Sequence, residues 1–244
     1  MKIAIMQPTY LPWIGYFDLM DRVDVFVYLD DVSFSKKSWQ QRNRIKSAQN
    51  QMWLTVPVLS KGKSGQLIKD VEINEKVKWR KDHYFSLQQN YSKAEYCPLY
   101  IKLFEEMYEA HLDRLVELNI GFIEKFKQAL NIHCSTRRAT EILGGRADDD
   151  AIEHLIRIGR ALGATQYISP EGSRDYLGEG EAFCAAGIGF EYHHYEHPVY
   201  RQLFGDFISH LSIADLLFNE GPDSLKRIRS TRSDSIYERK IGEI

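Results

Sequence analysis

The sequence predicts an α/β protein: a three-layer, Rossmann-like domain with a mostly parallel sheet, plus a helical insertion. Three observations carry this. Short apolar runs at 2–6 and 23–29 stop at Gln7-Pro8 and at Asp30-Asp31, as strands buried on both faces do, and further strands are expected at 165–169 and 190–195. A helical pattern joins the first two, which makes a βαβ unit. Between residues 74 and 130 the strand pattern gives way to helical spacing. The expectation is therefore one α/β domain over residues 1–244, its sheet drawn from 1–73 and 131–200, with 74–130 as a helical insertion or subdomain.

Along the chain, Lys2 to Met6 reads as a buried strand that must stop at Gln7 to Pro12, because two prolines cannot donate to a ladder. Trp13 to Met20 reads as a short helix opened by Pro12. Val23 to Leu29 is β-branched and aromatic, and ends at Asp30-Asp31. Residues 33–47, SFSKKSWQQRNRIKS, hold five basic side chains around Trp39 and lead to a strand candidate at Met52 to Leu59. Helices are expected at 75–91, 98–110 and 113–130, interrupted by Pro98 and by Asp113 as a cap. The α/β pattern then returns: a short strand at Ile132 to Ser135, a helix capped by Asp148 or Asp149 and running to Leu162, and strands at Thr165 to Ser169 and Phe190 to Tyr195. A helix from Ser209 or His210 to Asn219 ends at Gly221-Pro222, before a polar tail from Arg227 to Ile244.

Charge and cysteine content narrow the classes of function. With 32 basic and 34 acidic residues the net charge is −2, so no global field gathers nucleic acid, and any anion site must be local. The three cysteines, Cys97, Cys134 and Cys184, are far apart and follow no metal spacing, which reads as reduced thiols in a cytoplasmic protein. The apolar run before Gln7 is too short for a signal segment or a membrane span. No Walker loop, Gly-x-Gly-x-x-Gly fingerprint or Gly-x-Ser-x-Gly elbow occurs.

In an open parallel sheet, ligands bind outside the carboxyl ends of the strands. Candidate binding residues in the first such turn are Gln7, Tyr10 and Trp13, with Gly15 allowing close approach. Asp30 and Asp31 end the second strand, where a carboxylate can meet a ribose hydroxyl, a metal or an amine. Lys36, Lys37, Arg42, Asn43 and Arg44 suit phosphate or carboxylate. Ser169, Glu171, Gly172, Ser173 and Tyr176 end or follow a later strand and should leave the same sheet edge, with Glu171 as a general base or as the partner of an amine. His193 and His194 alternate in facing, which spoils a two-ligand metal site, so no metal ligands are assigned. His197 is expected in or near the cleft, moving a proton.

The opening strand, loop and helix resemble the nucleotidyltransferase group, in which an HxGH signature opens the first helix. Here the stretch is Trp13-Ile14-Gly15-Tyr16, without either histidine, so the resemblance concerns fold and not reaction. More of the chain resembles the WbqC-like family of bacteria. The blocks are QPTYLPWIGYFDLM, DVFVYLDDVSFSKKSWQQRNRIK and WLTVPV, then Trp79 with His83 and Tyr91. GATQYISPEGSRDYL and HPVYRQLFGDFISHLSIADLLFNEGP follow, so that roughly residues 1–225 are covered. The family pattern often has Asn where Gln41 stands. The resemblance implies a bacterial protein encoded beside O-antigen or other glycan-assembly enzymes. Together with the first-turn pocket and the basic segment, it gives the expected function: a nucleotide-dependent transferase or ligase-like enzyme modifying an activated amino sugar by acyl, aminoacyl or nucleotidyl transfer. The expected ligand is a nucleoside triphosphate or a nucleotide sugar, with Mg²⁺. The alternative is a non-catalytic scaffold for a glycan-assembly enzyme. Neither nucleic acid nor membrane insertion is expected.

Overall fold

The computed structural model describes residues 1–145 and 150–232. Strands β1 (Lys2–Met6) and β2 (Val25–Tyr28) are joined by helix α1 (Ile14–Met20). Strands β3 (Arg42–Ser47) and β4 (Asn50–Thr55) follow, then helices α2 (Trp79–Tyr91), α3 (Cys97–Glu109) and α4 (Leu115–Ala129). After β5 (Ser135–Arg138) come α5 (Ala139–Leu143), α6 (Ala151–Leu162) and β6 (Gln166–Pro170). Short helices α7 (Arg174–Leu177) and α8 (Glu181–Ala185) lead to β7 (Gly189–His193), and α9 (Ile213–Glu220) and α10 (Ser224–Arg229) close the described chain.

Five strands form one parallel sheet in the order β5-β2-β1-β6-β7. The α/β class and the parallel sheet are as the sequence predicts. Side chains alternate between two cores, which makes three layers. Ala4, Phe26, Tyr28 and Ile168 pack on the face that carries α1, α3, α4 and α9. Ile3, Ile5, Val27 and Tyr167 pack on the face that carries α6 and α8. The middle helices thus share a core with the sheet, where Phe104, Phe122 and Phe126 stack against one another and Phe17 of α1 meets Phe126 edge-on.

The sequence reading departs from the structure in several places: α9 starts at Ile213 and not at Ser209 or His210, and α10 runs into the segment expected as a polar tail from Arg227. The strand expected at Met52 to Leu59 is β4, and it pairs antiparallel with β3 in a separate two-stranded sheet. Strand β3 was hidden inside the basic segment because only Asn43, Ile45 and Lys46 of it are buried. The strand expected at 132–135 starts where that segment ends, at Ser135. Helix α6 is capped by Asp150, whose side chain accepts the Glu153 amide; Asp148 and Asp149 lie outside the described residues, as does the tail beyond Arg232.

Candidate functional site

Chain order reverses across the sheet between β1 and β6, which makes the carboxyl end of β1 the place where open α/β sheets take ligands. A cavity of about 240 Å³ lies there, lined by Met6, Thr9, Trp13, Tyr16, Trp39, Asn43 and His210, so most of its wall is aromatic. Its lower rim is the loop after β1, and two buried side-chain amides fix that loop. Asn43 Nδ2 donates to Leu11 O at 2.7 Å, and Asn119 Nδ2 donates to Pro8 O at 3.1 Å and to Gln40 O at 2.7 Å. Leu11 is held at φ 45°, a left-handed conformation that a buried leucine adopts only when its surroundings impose it. Gln7 Oε1 accepts Gln40 Nε2 at 2.7 Å, which ties the loop to the segment that carries Trp39.

Trp13 is the hub of the site. Its indole folds over Gly15, where any β-carbon would collide with it. The ring meets Tyr195 edge-on, stacks with His197 at 6.4 Å and leans on His210 at 5.0 Å. His210 reaches this place because the entry to α9 is bonded to the site: Ser212 N donates to Arg44 O and Ile213 N to Pro12 O. Arg44 closes the arrangement. Its guanidinium donates to His210 O at 3.3 Å and to Gln51 Oε1 at 3.0 Å, and lies 5.5 Å from the Trp39 ring.

His197 has its Nδ1 donating to Pro198 O at 2.9 Å, while its buried Nε2 has no partner. Burial pushes its pKa down to about 4, partly opposed by the Pro198 carbonyl, with His210 also lowering it. At neutral pH it is an uncharged imidazole whose Nε2 accepts, suited to orienting a hydroxyl more than to carrying a proton.

Trp13, Asn43, Gly15, Arg44, Gln7 and His197 are thus gathered in or against the pocket. The other candidates lie elsewhere. Tyr10 is fully buried, its hydroxyl 2.8 Å from His83 Nδ1 and 2.6 Å from the Tyr108 hydroxyl. Asp30 accepts Thr140 N at 3.1 Å and Thr140 Oγ1 at 2.8 Å at the start of α5; burial raises its carboxyl above the ordinary value, opposed by Thr140 and Arg138. Asp31 Oδ1 meets His154 Nε2 at 3.1 Å. Ser169 and Ser173 bond each other at 2.6 Å, and Ser173 also donates to Pro170 O. Glu171 pairs with Arg174 at 2.7 Å and His194 at 3.1 Å. Gly172 and Tyr176 are exposed in the same region, and none of residues 169–176 lines the pocket. Lys36 and Lys37 are exposed and, like Arg42 and Arg44, take part in no ion pair among the described residues.

Sequence reasoning missed Met6, Thr9, Tyr16 and His210 as pocket walls, and noted Trp39 only as part of the basic segment. It also missed a buried network behind β3. There Asp215 accepts Tyr91 and Tyr200 hydroxyls and Gln202 Nε2, each at 2.8 Å, and Gln202 Oε1 takes Lys46 Nζ at 3.0 Å. Burial raises the Asp215 carboxyl, with Tyr91, Tyr200, Gln202 and Lys46 opposing. Among the described residues no three or more His, Cys, Asp or Glu side chains converge as a metal site would need, and no helix is long and apolar enough to cross a membrane.

Fold and site together define an α/β protein with a five-stranded parallel sheet and an aromatic pocket at the carboxyl end of its central strand. The chain belongs to the WbqC-like protein family, whose model matches residues 7–227. It is similar to an uncharacterized protein of Mycobacterium tuberculosis, 34% identical over 244 residues that cover 93% of this chain and 99% of the relative. No solved structure matches it.

Proposed function

We propose that this protein binds a nucleotide-activated sugar in the Trp13 pocket and modifies it as a nucleotide-dependent transferase or ligase-like enzyme of bacterial surface-glycan synthesis. The observation that supports the reading is the junction of two chemistries at the carboxyl end of β1. A mostly aromatic slot lies beside Arg44, in a chain segment whose other exposed cations, Lys36 and Lys37, are free of ion pairs. A planar base or a sugar face packs on Trp13, Tyr16 and Trp39, while phosphates meet the guanidinium and ammonium groups. The unpartnered Nε2 of His197, whose ring stacks on Trp13, is an acceptor beside this slot for a hydroxyl group of the ligand.

A thermal-shift panel of nucleotides, nucleotide sugars and amino acids, with and without Mg²⁺, tests this, because a ligand selective for the native state must raise apparent stability. A rise with nucleotide sugars supports the reading, and flat traces with every class refute it. A second reading, docking to a glycan-assembly enzyme, is favoured by Val77, Phe85 and Leu99, all exposed in the 74–130 region. Its sign is a stoichiometric protein partner lost on Leu99→Asp, with no small-molecule shift.

A further inference from the structure

From Val32 to Lys69 the chain holds eight lysines and arginines and no aspartate or glutamate, although its net charge is −2. The fold sets two of these cations beside an indole, because strand alternation turns Arg42, Arg44 and Trp53 to the outer face of the β3–β4 hairpin, while Asn43, Ile45 and Leu54 turn inward. On that outer face Trp53 and Trp39 are 43% and 48% exposed, and their rings lie 5.5 Å apart at 34°. Arg42 covers the Trp53 ring at 4.2 Å, and its side chain makes no hydrogen bond or ion pair among the described residues. Trp39 also forms a wall of the pocket, so the two surfaces are continuous.

We infer that the outer face of the hairpin, with Trp39, Trp53 and Arg42, is a second binding site, and that its occupant is an acidic saccharide. Large indoles left in water beside the unpaired guanidinium of Arg42 fit a ligand that has an apolar ring face and a carboxylate or phosphate on its edge. Arg42 lies over Trp53 and keeps its forked donors for an anion, while the free part of Trp39 takes the face of a sugar ring. A nucleic acid fits less well. The net charge of −2 supplies no broad positive field to hold a polyanion along its length, whereas a short acidic saccharide needs only the one guanidinium. The position brings an acidic glycan beside whatever occupies the pocket, as an acceptor beside a donor.

Titration calorimetry of the full chain tests the inference with three probes: tetragalacturonate, neutral maltotetraose and a single-stranded oligouridylate. Tetragalacturonate is expected to bind, more weakly as salt rises. Trp53→Ala and Arg42→Gln should each weaken it about tenfold, and maltotetraose should bind about tenfold more weakly than it. Both residues sit on the hairpin's outer face, so both variants should keep the wild-type circular dichroism spectrum. No tetragalacturonate binding, or binding unchanged in both variants, overturns the inference. Tighter, Trp53-dependent binding of the oligouridylate overturns it in favour of nucleic acid, and Trp53-dependent self-association in favour of a second copy. Tetragalacturonate binding without nucleotide-sugar binding leaves this inference standing and sinks the reading of the pocket, and the reverse result does the opposite.

Discussion

The indole of Trp13 lies directly against Gly15: a β-carbon placed there would stand 2.1 Å from the ring's Cη2. In an ordinary helix Gly→Ala is favourable by roughly 1 kcal/mol, but here the methyl group must displace the ring that forms the pocket wall. Gly15→Ala is expected to destabilise the protein by about 1–3 kcal/mol and to weaken pocket binding. In a Trp13→Ala background the same substitution should be neutral or stabilising. Urea unfolding of the four proteins of this cycle checks the prediction, and additive effects would mean that the ring is not what Gly15 accommodates.

The clamp on the β1 loop gives a second expectation. Asn119→Ala removes the donors to Pro8 O and Gln40 O, two carbonyls in a buried setting. It also removes Asn119 Oδ1, itself buried without a partner, which softens the loss. The expected cost is about 2 kcal/mol, with pocket binding weakened because Trp13 leaves this loop. Chemical denaturation and ligand titration of the one variant read both effects, and full stability would show that the loop holds itself.

His83 supplies a pH dependence. Burial pushes its pKa down to about 3, slightly opposed by a backbone hydrogen bond with Thr55. The unfolded chain takes up the proton near 6.5 and the native state does not, so the stability that a neutral His83 permits is complete above that value and declines as pH falls toward 3. The contribution is about 1.4 kcal/mol per pH unit between roughly 6 and 4. Denaturant midpoints measured across that range should fall less steeply in His83→Gln than in the wild type. Parallel profiles would show that His83 charges in the native state.

Asp18 works in the opposite direction. Burial raises its carboxyl, but bonds from His193 at 2.7 Å, Arg22 at 2.7 Å and Arg232 at 2.7 Å outweigh this and leave it below the ordinary value. Its contribution is therefore complete above about pH 3.9 and lost as pH falls through the lower native value. Asp18→Asn should cost about 2 kcal/mol at pH 7, discounted because both arginines remain partly in water, and should unfasten α1 from β7 and from the chain after α10. Unfolding followed from pH 7 into the acid range should show the gap between variant and wild type narrowing as pH falls below about 3.9.

Much of this fold was legible because its determinants are local. Strands β1 and β2 are apolar runs, as burial on both faces requires, and α2 to α4 carry helical periodicity and near-correct bounds. Strand β3 was not legible: its outward residues are cationic, so RNRIKS reads as loop until a partner strand is placed beside it. The pocket was half legible. Trp13 and Asn43 fall in segments marked by the first-turn rule and by the basic run. His210 arrives from more than 160 residues away through backbone bonds that no spacing announces. Tyr10 reads as a pocket residue beside two prolines, yet its hydroxyl is spent in the core on His83 and Tyr108. Asp30 and Asp31 stand at a strand end, as their sequence suggests, and each is engaged by the layer behind the sheet through Thr140 and His154.

The most direct test of the central claim is titration calorimetry of a nucleotide sugar, with Mg²⁺, into wild-type protein and into Trp13→Ala. Saturable one-to-one binding to the wild type and at least about a tenfold loss in the variant are expected, as removal of a central aromatic contact entails. Equal affinity in the two proteins, or no binding to either, would contradict that claim.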